Sequence, residues 1–292
     1  MKTIRVENLT RDYGHGKGVF DLSFDVHKGE SFGFLGPNGA GKTTTIRHLM
    51  GFLKAKSGRC TIDGLDCWTD SHIIQKRLGY IAGEINLFND MTGSGFIKFM
   101  QAYRGIASNK RTVEMIELFD FNPDIRIKKM SKGMKQKLEI VTAFMHDPDI
   151  FLFDEPTSGL DPLMKNRFID LVTEEKRRGK TILMSSHLFE EVERICHRVG
   201  IIREGKLVAV DALDELKAKQ MKKYIVVFEN KESAADFASE FIQSKVISDH
   251  QVEVAVQDNI NDLIATLHRY PLANLLAPKQ SLEEAFIQYY GD

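Results

Sequence analysis

Long apolar runs, an excess of either charge and a set of paired cysteines are all missing from this 292-residue chain. No uninterrupted apolar stretch approaches the roughly 18 residues that a membrane-spanning helix needs, so the chain is expected not to cross a bilayer. Its first residues, Met1-Lys-Thr-Ile-Arg-Val-Glu7, carry charge where a secretory signal has an unbroken apolar core, which points to an intracellular protein. Cys60, Cys67 and Cys196 are odd in number and match no common zinc spacing, so they read as reduced packing residues. With 40 Lys plus Arg against 41 Asp plus Glu, the net charge is −1, and the basic footprint of a nucleic-acid binder is absent. The balance is uneven along the chain: residues 220–292 hold 6 basic and 11 acidic residues, leaving 34 and 30 for residues 1–219. An acidic C-terminal part makes nucleic acid a poor partner there. What is present is 42% hydrophobic residues, enough for a sizeable core and too many for a disordered chain.

Thr3 to Val6, Phe20 to Val26 and Cys60 to Ile62 read as short alternating strands of a small antiparallel sheet. Between them the apolar run Ser31-Phe-Gly-Phe-Leu35 leads through a glycine-rich turn into the helical stretch Thr43 to Met50. From about 88 to 145 a helical period dominates, with Phe96, Phe99, Met100 and Tyr103 on one face and Met115, Ile116 and Phe119 on another. Two further apolar strands, Ile150 to Phe153 and Thr181 to Met184, flank the charged helix Leu163 to Arg178, and strand, helix, strand at this spacing implies a parallel sheet. After a helical connector, Ala212 to Lys219, the pattern changes. Strands at Tyr224 to Phe228, Val246 to Ser248, Val252 to Val256 and Leu272 to Ala277 alternate with helices at Ser233 to Ser244 and Ile260 to Tyr270. That βαββαβ order is ferredoxin-like, with Leu282 to Tyr290 as a closing helix. Two domains are expected, 1–215 and 220–292.

Gly36-Pro37-Asn38-Gly39-Ala40-Gly41-Lys42-Thr43 fits G-x-x-x-x-G-K-[ST] and sits between a strand and a helix, as the phosphate-binding P-loop requires. Its glycines let backbone N–H groups converge on one point, and the helix that follows adds its positive end. Lys42 reaches the outer phosphates, while the Thr43 hydroxyl suits Mg²⁺. Thr44 continues the same turn. Asp154 and Glu155 follow an apolar strand, at the carboxyl end where open α/β sheets bind ligands, one suited to metal and the other to water. The alternative is a strand cap before Pro156. His187, after the strand at Thr181 and the pair Ser185-Ser186, either contacts a γ-phosphate or serves as a solvated residue opening a helix.

Taken in order, these elements resemble the ATP-binding cassette (ABC) family, the nucleotide-binding subunits of ABC transporters. Met130-Ser-Lys-Gly-Met134 stands where the family signature reads L-S-G-G-Q, Ile150 to Glu155 resembles the Walker B strand, and Ser158-Gly-Leu-Asp161 resembles the D-loop. Tyr13 stands where the family stacks an aromatic ring on adenine. The resemblance implies an α/β fold: a P-loop NTPase (RecA-like) parallel-sheet core, an N-terminal antiparallel β subdomain, an inserted helical subdomain, and a small C-terminal α+β domain. It implies ATP and Mg²⁺ as ligands, with Asp154 on the metal, Glu155 positioning the attacking water and His187 sensing the γ-phosphate. Ser131 and Gly133 would then serve ATP on a second ATPase subunit, and Asp161 of the D-loop would also belong to the nucleotide site. A homodimer and an integral membrane permease subunit are the implied partners, at the cytoplasmic side of the cell membrane.

Two departures from the family pattern stand out. Lys132 and Met134 replace a glycine and the glutamine of the signature, and the lysines at 128, 129, 132, 135 and 137 read as a solvated helix face or, for Lys132, a phosphate contact. Gly83 stands at the family's glutamine-loop position, leaving neighbouring Glu84 either to reach Mg²⁺ or water, or to be a surface acid in a plain turn. Phe88, Met91 and the helix from Phe96 adjoin that loop and are expected to meet the membrane subunit. The ending Ser281-Leu-Glu-Glu-Ala-Phe286 resembles single-cassette subunits of drug and antibiotic exporters. A soluble ABC ATPase acting on ribosomes or DNA, and a regulatory module without turnover, are the competing readings.

Overall fold

Alternation of apolar and polar residues builds the first sheet. In the computed structural model, which describes residues 1–219, 222–241, 243–256 and 260–278, β1 (Lys2–Asp12) buries Ile4, Val6 and Leu9, and β2 (Gly18–His27) buries Val19, Leu22, Phe24 and Val26. Strand β3 (Ser31–Leu35) is buried at all five positions and runs into α1 (Lys42–Leu49). β4 (Ser57–Ile62) and the short β5 (Leu65–Asp66) complete an antiparallel sheet in the order β2-β1-β4-β5.

The second sheet is laid out along the chain with helices between its strands. In sequence come α2 (Ser71–Arg77), β6 (Leu78–Ile81), α3 (Gly93–Arg104), α4 (Lys110–Leu118), α5 (Lys132–Phe144), β7 (Ile150–Asp154), α6 (Pro162–Arg177), β8 (Thr181–Ser186), α7 (Phe189–Ile195), β9 (Arg198–Arg203) and β10 (Lys206–Ala212). The strands order as β10-β9-β3-β8-β7-β6, parallel throughout except for the antiparallel edge pair β9 and β10. Strands buried on both faces of such a sheet are apolar through their middle, as β3, β7 and β8 are; their buried polar residues, Ser31, Asp154, Thr181, Ser185 and Ser186, stand at the strand ends.

Helices α5 and α6 fix β7 through aromatic packing. Phe144 of α5 lies 4.6 Å from Phe151, and Phe168 of α6 lies 5.5 Å from Phe153, ring centre to ring centre. All four rings are buried, each contributing about 2–3 kcal/mol. In the helical lobe Phe96 is buried, but Phe99 and Tyr103, expected on the same buried face, are about half exposed. Helix α3 therefore turns only a narrow stripe inward.

The chain divides into two units, Met1–Leu213 and Asp214–Asp292. The second follows α8 (Leu213–Lys219) with β11 (Lys222–Phe228), α9 (Lys231–Glu240), β12 (Ser244–Ser248), β13 (Gln251–Val256), α10 (Ile260–Leu267) and β14 (Leu272–Leu276). Its antiparallel order, β12-β13-β11-β14, is the ferredoxin-like arrangement. Val226, Phe228, Phe237, Val252, Val254 and Leu263 form its core. The helix expected to reach Ser244 stops at Glu240, because Phe241 is extended and Ser244 already pairs with Val254 on the sheet edge. The closing helix expected at Leu282 to Tyr290 lies outside the described residues.

Candidate functional site

Three neighbouring parallel strands deliver the predicted residues to one end of the sheet. Leu35, the last residue of β3, pairs with Ser186 at the end of β8, and Asp154 at the end of β7 pairs with Ser185. The P-loop, the Asp154-Glu155 pair and His187 thus leave the sheet side by side, the carboxyl-end placement at which α/β folds bind ligands.

Gly41 caps α1 at φ +110°, a conformation closed to residues with a Cβ, and a Cβ there would also lie 2.8 Å from Val19 Cγ1. Lys42 is 5% exposed. Its ammonium donates to the carbonyls of Gly36 (2.6 Å) and Pro37 (3.2 Å), so it spans the loop it follows. It also sits 3.2 Å from Glu155 Oε1.

Glu155 has φ +50°, a strained value for a non-glycine residue. Its amide faces both the carbonyl and the hydroxyl of Ser185, each at 3.2 Å, and its Oε2 accepts from His187 Nδ1 at 2.6 Å. Lys42, Glu155 and His187 are therefore one contiguous group. His187 stands between β8 and α7 and is not the first residue of a helix; it is 46% exposed at its side chain.

Asp154 is fully buried. Burial raises its pKa, opposed by the Ser185 hydrogen bond and the nearby Thr43 hydroxyl. Ser185 Oγ donates to Oδ1 at 2.6 Å, while Oδ2 is buried without a partner. A carboxylate oxygen left bare inside a protein, beside a threonine hydroxyl, is an all-oxygen donor set that suits Mg²⁺.

The remaining predicted residues fall into two groups. Tyr13 is half exposed on the turn between β1 and β2, its ring 5.4 Å from the Arg11 guanidinium carbon. Ser131 caps α5 by accepting from the Met134 amide, Gly133 packs so closely that a Cβ would lie 2.8 Å from the Gly159 carbonyl, and Asp161 caps α6 by accepting from the Met164 amide. These three lie on the segment around residues 155–161 and the helix facing it.

Glu84 is not brought to the metal side: its carboxylate pairs with Arg47 at 3.1 Å and is 75% exposed. The reason is visible at Gly83, where a Cβ would lie 2.7 Å from Asp154 Oδ2. The loop backbone itself crosses next to the carboxylate, and the following residue points away. Of the lysine run, Lys132 is engaged, its Nζ donating to Ser158 Oγ at 2.8 Å.

Several supporting residues were not among those predicted. Ser185 joins Asp154 to Glu155, and Gln136 of α5, 1% exposed, donates to the Pro156 carbonyl at 2.7 Å. Glu191 of α7 accepts from both Thr157 and Ser186. The available signal was a pair of serines ending a strand that is apolar from Ile182 to Met184. Glu139 of α5 accepts from the Ala82 amide beside the glutamine-loop position, and burial pushes its carboxyl up to about 8.

A family model described as ABC transporter matches residues 19–158. The linearmycin resistance ATP-binding protein LnrL of Bacillus subtilis (strain 168) is 30% identical over 99% of this chain and 98% of its own. The bacitracin transport ATP-binding protein BcrA of Bacillus licheniformis is 37% identical over 76% of this chain and 73% of its own. Among solved structures, an ATP-binding subunit of an ABC transporter matches with a TM-score of 0.68 and 29% identity, across 74% of this chain and 92% of that one. Sequence and fold together make the chain a member of the ABC transporter family, carrying its ATPase cassette.

Proposed function

We propose that the chain hydrolyses Mg-ATP as one half of a homodimer and so powers a separate integral membrane subunit that exports an antibiotic-like compound. The contiguous Lys42, Glu155 and His187 group, beside the unpartnered oxygen of Asp154, carries this reading. The backbone N–H groups of residues 38–43 and the Lys42 ammonium hold the phosphates. Thr43 and Asp154 would hold the metal, which would supply positive charge against the phosphates. Glu155 holds the attacking water and accepts its proton as the oxygen bonds to the γ-phosphorus and the bond to the β-phosphate oxygen breaks. His187, released from Glu155, turns its imidazole to the γ-phosphate. Positioning and electrostatics supply most of the catalysis.

Tyr13 offers an exposed ring for adenine. Ser131 and Gly133 stand at the N-terminus of α5, the kind of helix end that binds anions, and in this reading they close over ATP held by the second copy. The membrane subunit docks on the groove of about 440 Å³ lined by Phe52, Tyr80, Glu84, Phe96 and Tyr103. Glu84 and Arg47 there act as surface groups for the partner. No helix among the described residues is long and apolar enough to cross a membrane, so this docking would hold the subunit at the cytoplasmic face. Export as the direction is supported by relatives named for linearmycin resistance and bacitracin transport.

The test is light scattering on Glu155→Gln with and without Mg-ATP. A dimer that appears only with Mg-ATP, together with phosphate release by the unaltered chain and a loss of about 10²-fold or more in Lys42→Ala, is the expected result. A Glu155→Gln protein that binds Mg-ATP and stays monomeric at every concentration sinks the shared-site reading.

A further inference from the structure

Lys132 breaks a local rule. It is the first residue of α5, where the helix dipole is positive and a cation is disfavoured, and the first turn of that helix contains no acid to offset it. Residues that defy local preference at a well-ordered position are where function is to be sought.

The structure gives this lysine a defined seat. Its Nζ donates to Ser158 Oγ at 2.8 Å, and its stem crosses the face of Gly159. Gly159 has φ +84°, and a Cβ there would come within 2.9 Å of Lys132 Cγ and 3.0 Å of Cδ. The segment is thus shaped around the side chain. Gln136 stands one turn further along the same face of α5 and donates to the Pro156 carbonyl at 2.7 Å. Lys132 and Gln136 together tie residues 156 to 159 to the start of α5. Within that turn the Ser158 amide donates to the carbonyl of Glu155 at 3.0 Å, and Glu155 is itself held in the left-handed region. A continuous chain of contacts runs from Lys132 through Ser158 to the backbone of Glu155.

We propose that Lys132 is a positioning residue for ATP hydrolysis: by tying Ser158 to the start of α5, it fixes the turn that aims the Glu155 carboxylate. This inference rests on the assignment of Glu155 as the group that holds the attacking water. It assigns Lys132 no contact with bound nucleotide. Engagement of the α5 N-terminus would thereby be felt at Glu155 of the same chain.

The test pairs Lys132→Met, which keeps the stem over Gly159 and removes the donor, with Ser158→Ala and with the double variant. Each single change should lower kcat about fivefold, the scale of one lost hydrogen bond, with KM for ATP within about twofold. The double variant should match either single one, since both remove the same tie. Hydrogen exchange read on residues 156–160 in the nucleotide-free full chain should quicken in Lys132→Met. A raised KM at unchanged kcat would make Lys132 a phosphate contact and overturn the proposal. Additive losses, or unchanged turnover and exchange, would overturn it as well. Wild-type phosphate release no faster than that of Lys42→Ala would instead count against the proposed function, and the exchange measurement would still decide the tie.

Discussion

The two units of the chain bury different things. Among the described residues, every buried polar or charged side chain, from Thr3 to Glu191, lies in the first unit. Lys42, Thr45, His48, Gln136, Glu139, Asp154, Glu175, Ser185 and Ser186 are all there. Among its described residues the second unit buries only Val226, Phe228, Ala234, Phe237, Val252, Val254, Val256, Leu263 and Leu267. Burying a polar group costs free energy unless it is fully partnered, so a region that keeps so many does so for reasons other than stability. The same contrast holds for backbone: among the described residues, Glu155 and the seven other non-glycine residues with positive φ all precede Leu213. The first unit carries strained, charged machinery, and the second has the simple apolar core of a folding module.

The sharpest way to break that comparison is Phe237→Ala. Phe237 is fully buried, with ring centres of Phe228, Phe241 and Tyr270 within 5.2–5.7 Å. Its truncation should cost about 3–5 kcal/mol, which is most of the stability that a unit of this size can hold. Hydrogen exchange should show strands β11 and β13 losing protection while β3 and β7 keep theirs. Affinity for a fluorescent ATP analogue should stay within about twofold. A parallel loss of nucleotide binding would mean that the second unit supports the site and is no independent module.

A smaller effect tests the charged side of the contrast. Glu139 is 8% exposed, and burial pushes its carboxyl up to about 8, well above the ordinary value near 4.5. Between those two values the folded chain holds a proton that the unfolded chain has released. Stability therefore falls as pH rises from about 4.5 to 8, by about 2–4 kcal/mol. Glu139→Gln removes this dependence: its melting temperature should equal that of the wild type near pH 5 and exceed it near pH 8.5. Burial also depresses the pKa values of His48 and His146, but both histidines are common to the two proteins and cancel in the comparison. Equal melting temperatures at both pH values would show that Glu139 ionises freely in the folded state.

What the residues announced by themselves was whatever depends on near neighbours. Strands β3 and β7 are legible because a parallel strand buried on both faces is apolar through its middle, and the P-loop because its spacing is local. Strand β6 was harder, since Gly79 breaks the run; its missing side chain leaves room for Phe151, whose Cδ1 would lie 2.4 Å from a Cβ. Strands β9 and β10 hide among charges, with Arg198, Arg203, Lys206 and Asp211 at their exposed or half-buried positions. In the site, Lys42, Asp154, Glu155 and His187 were readable from motif position. Ser185, Gln136 and the tie from Lys132 to Ser158 were not, because each depends on a partner 20 or more residues away. The two alternatives for Glu84 stayed open for the same reason: only the approach of Gly83 to Asp154 shows which way the next side chain turns.

The finest comparison uses one structural device found in both units. Asp161 caps α6 by accepting from the Met164 amide at 3.0 Å, and Asn230 caps α9 by accepting from the Ser233 amide at 2.8 Å. Both residues are extended, and neither carries a second side-chain role in holding its helix. Alanine at either position should cost about 1 kcal/mol of stability in its own unit. Turnover should separate them. Asp161 ends the segment that begins at Glu155, so Asp161→Ala should slow phosphate release as well as lowering the melting temperature, while Asn230→Ala should leave kcat where it was. Equal kcat losses in the two variants would tie the second unit to the chemistry; no loss in either would reduce Asp161 to a helix cap.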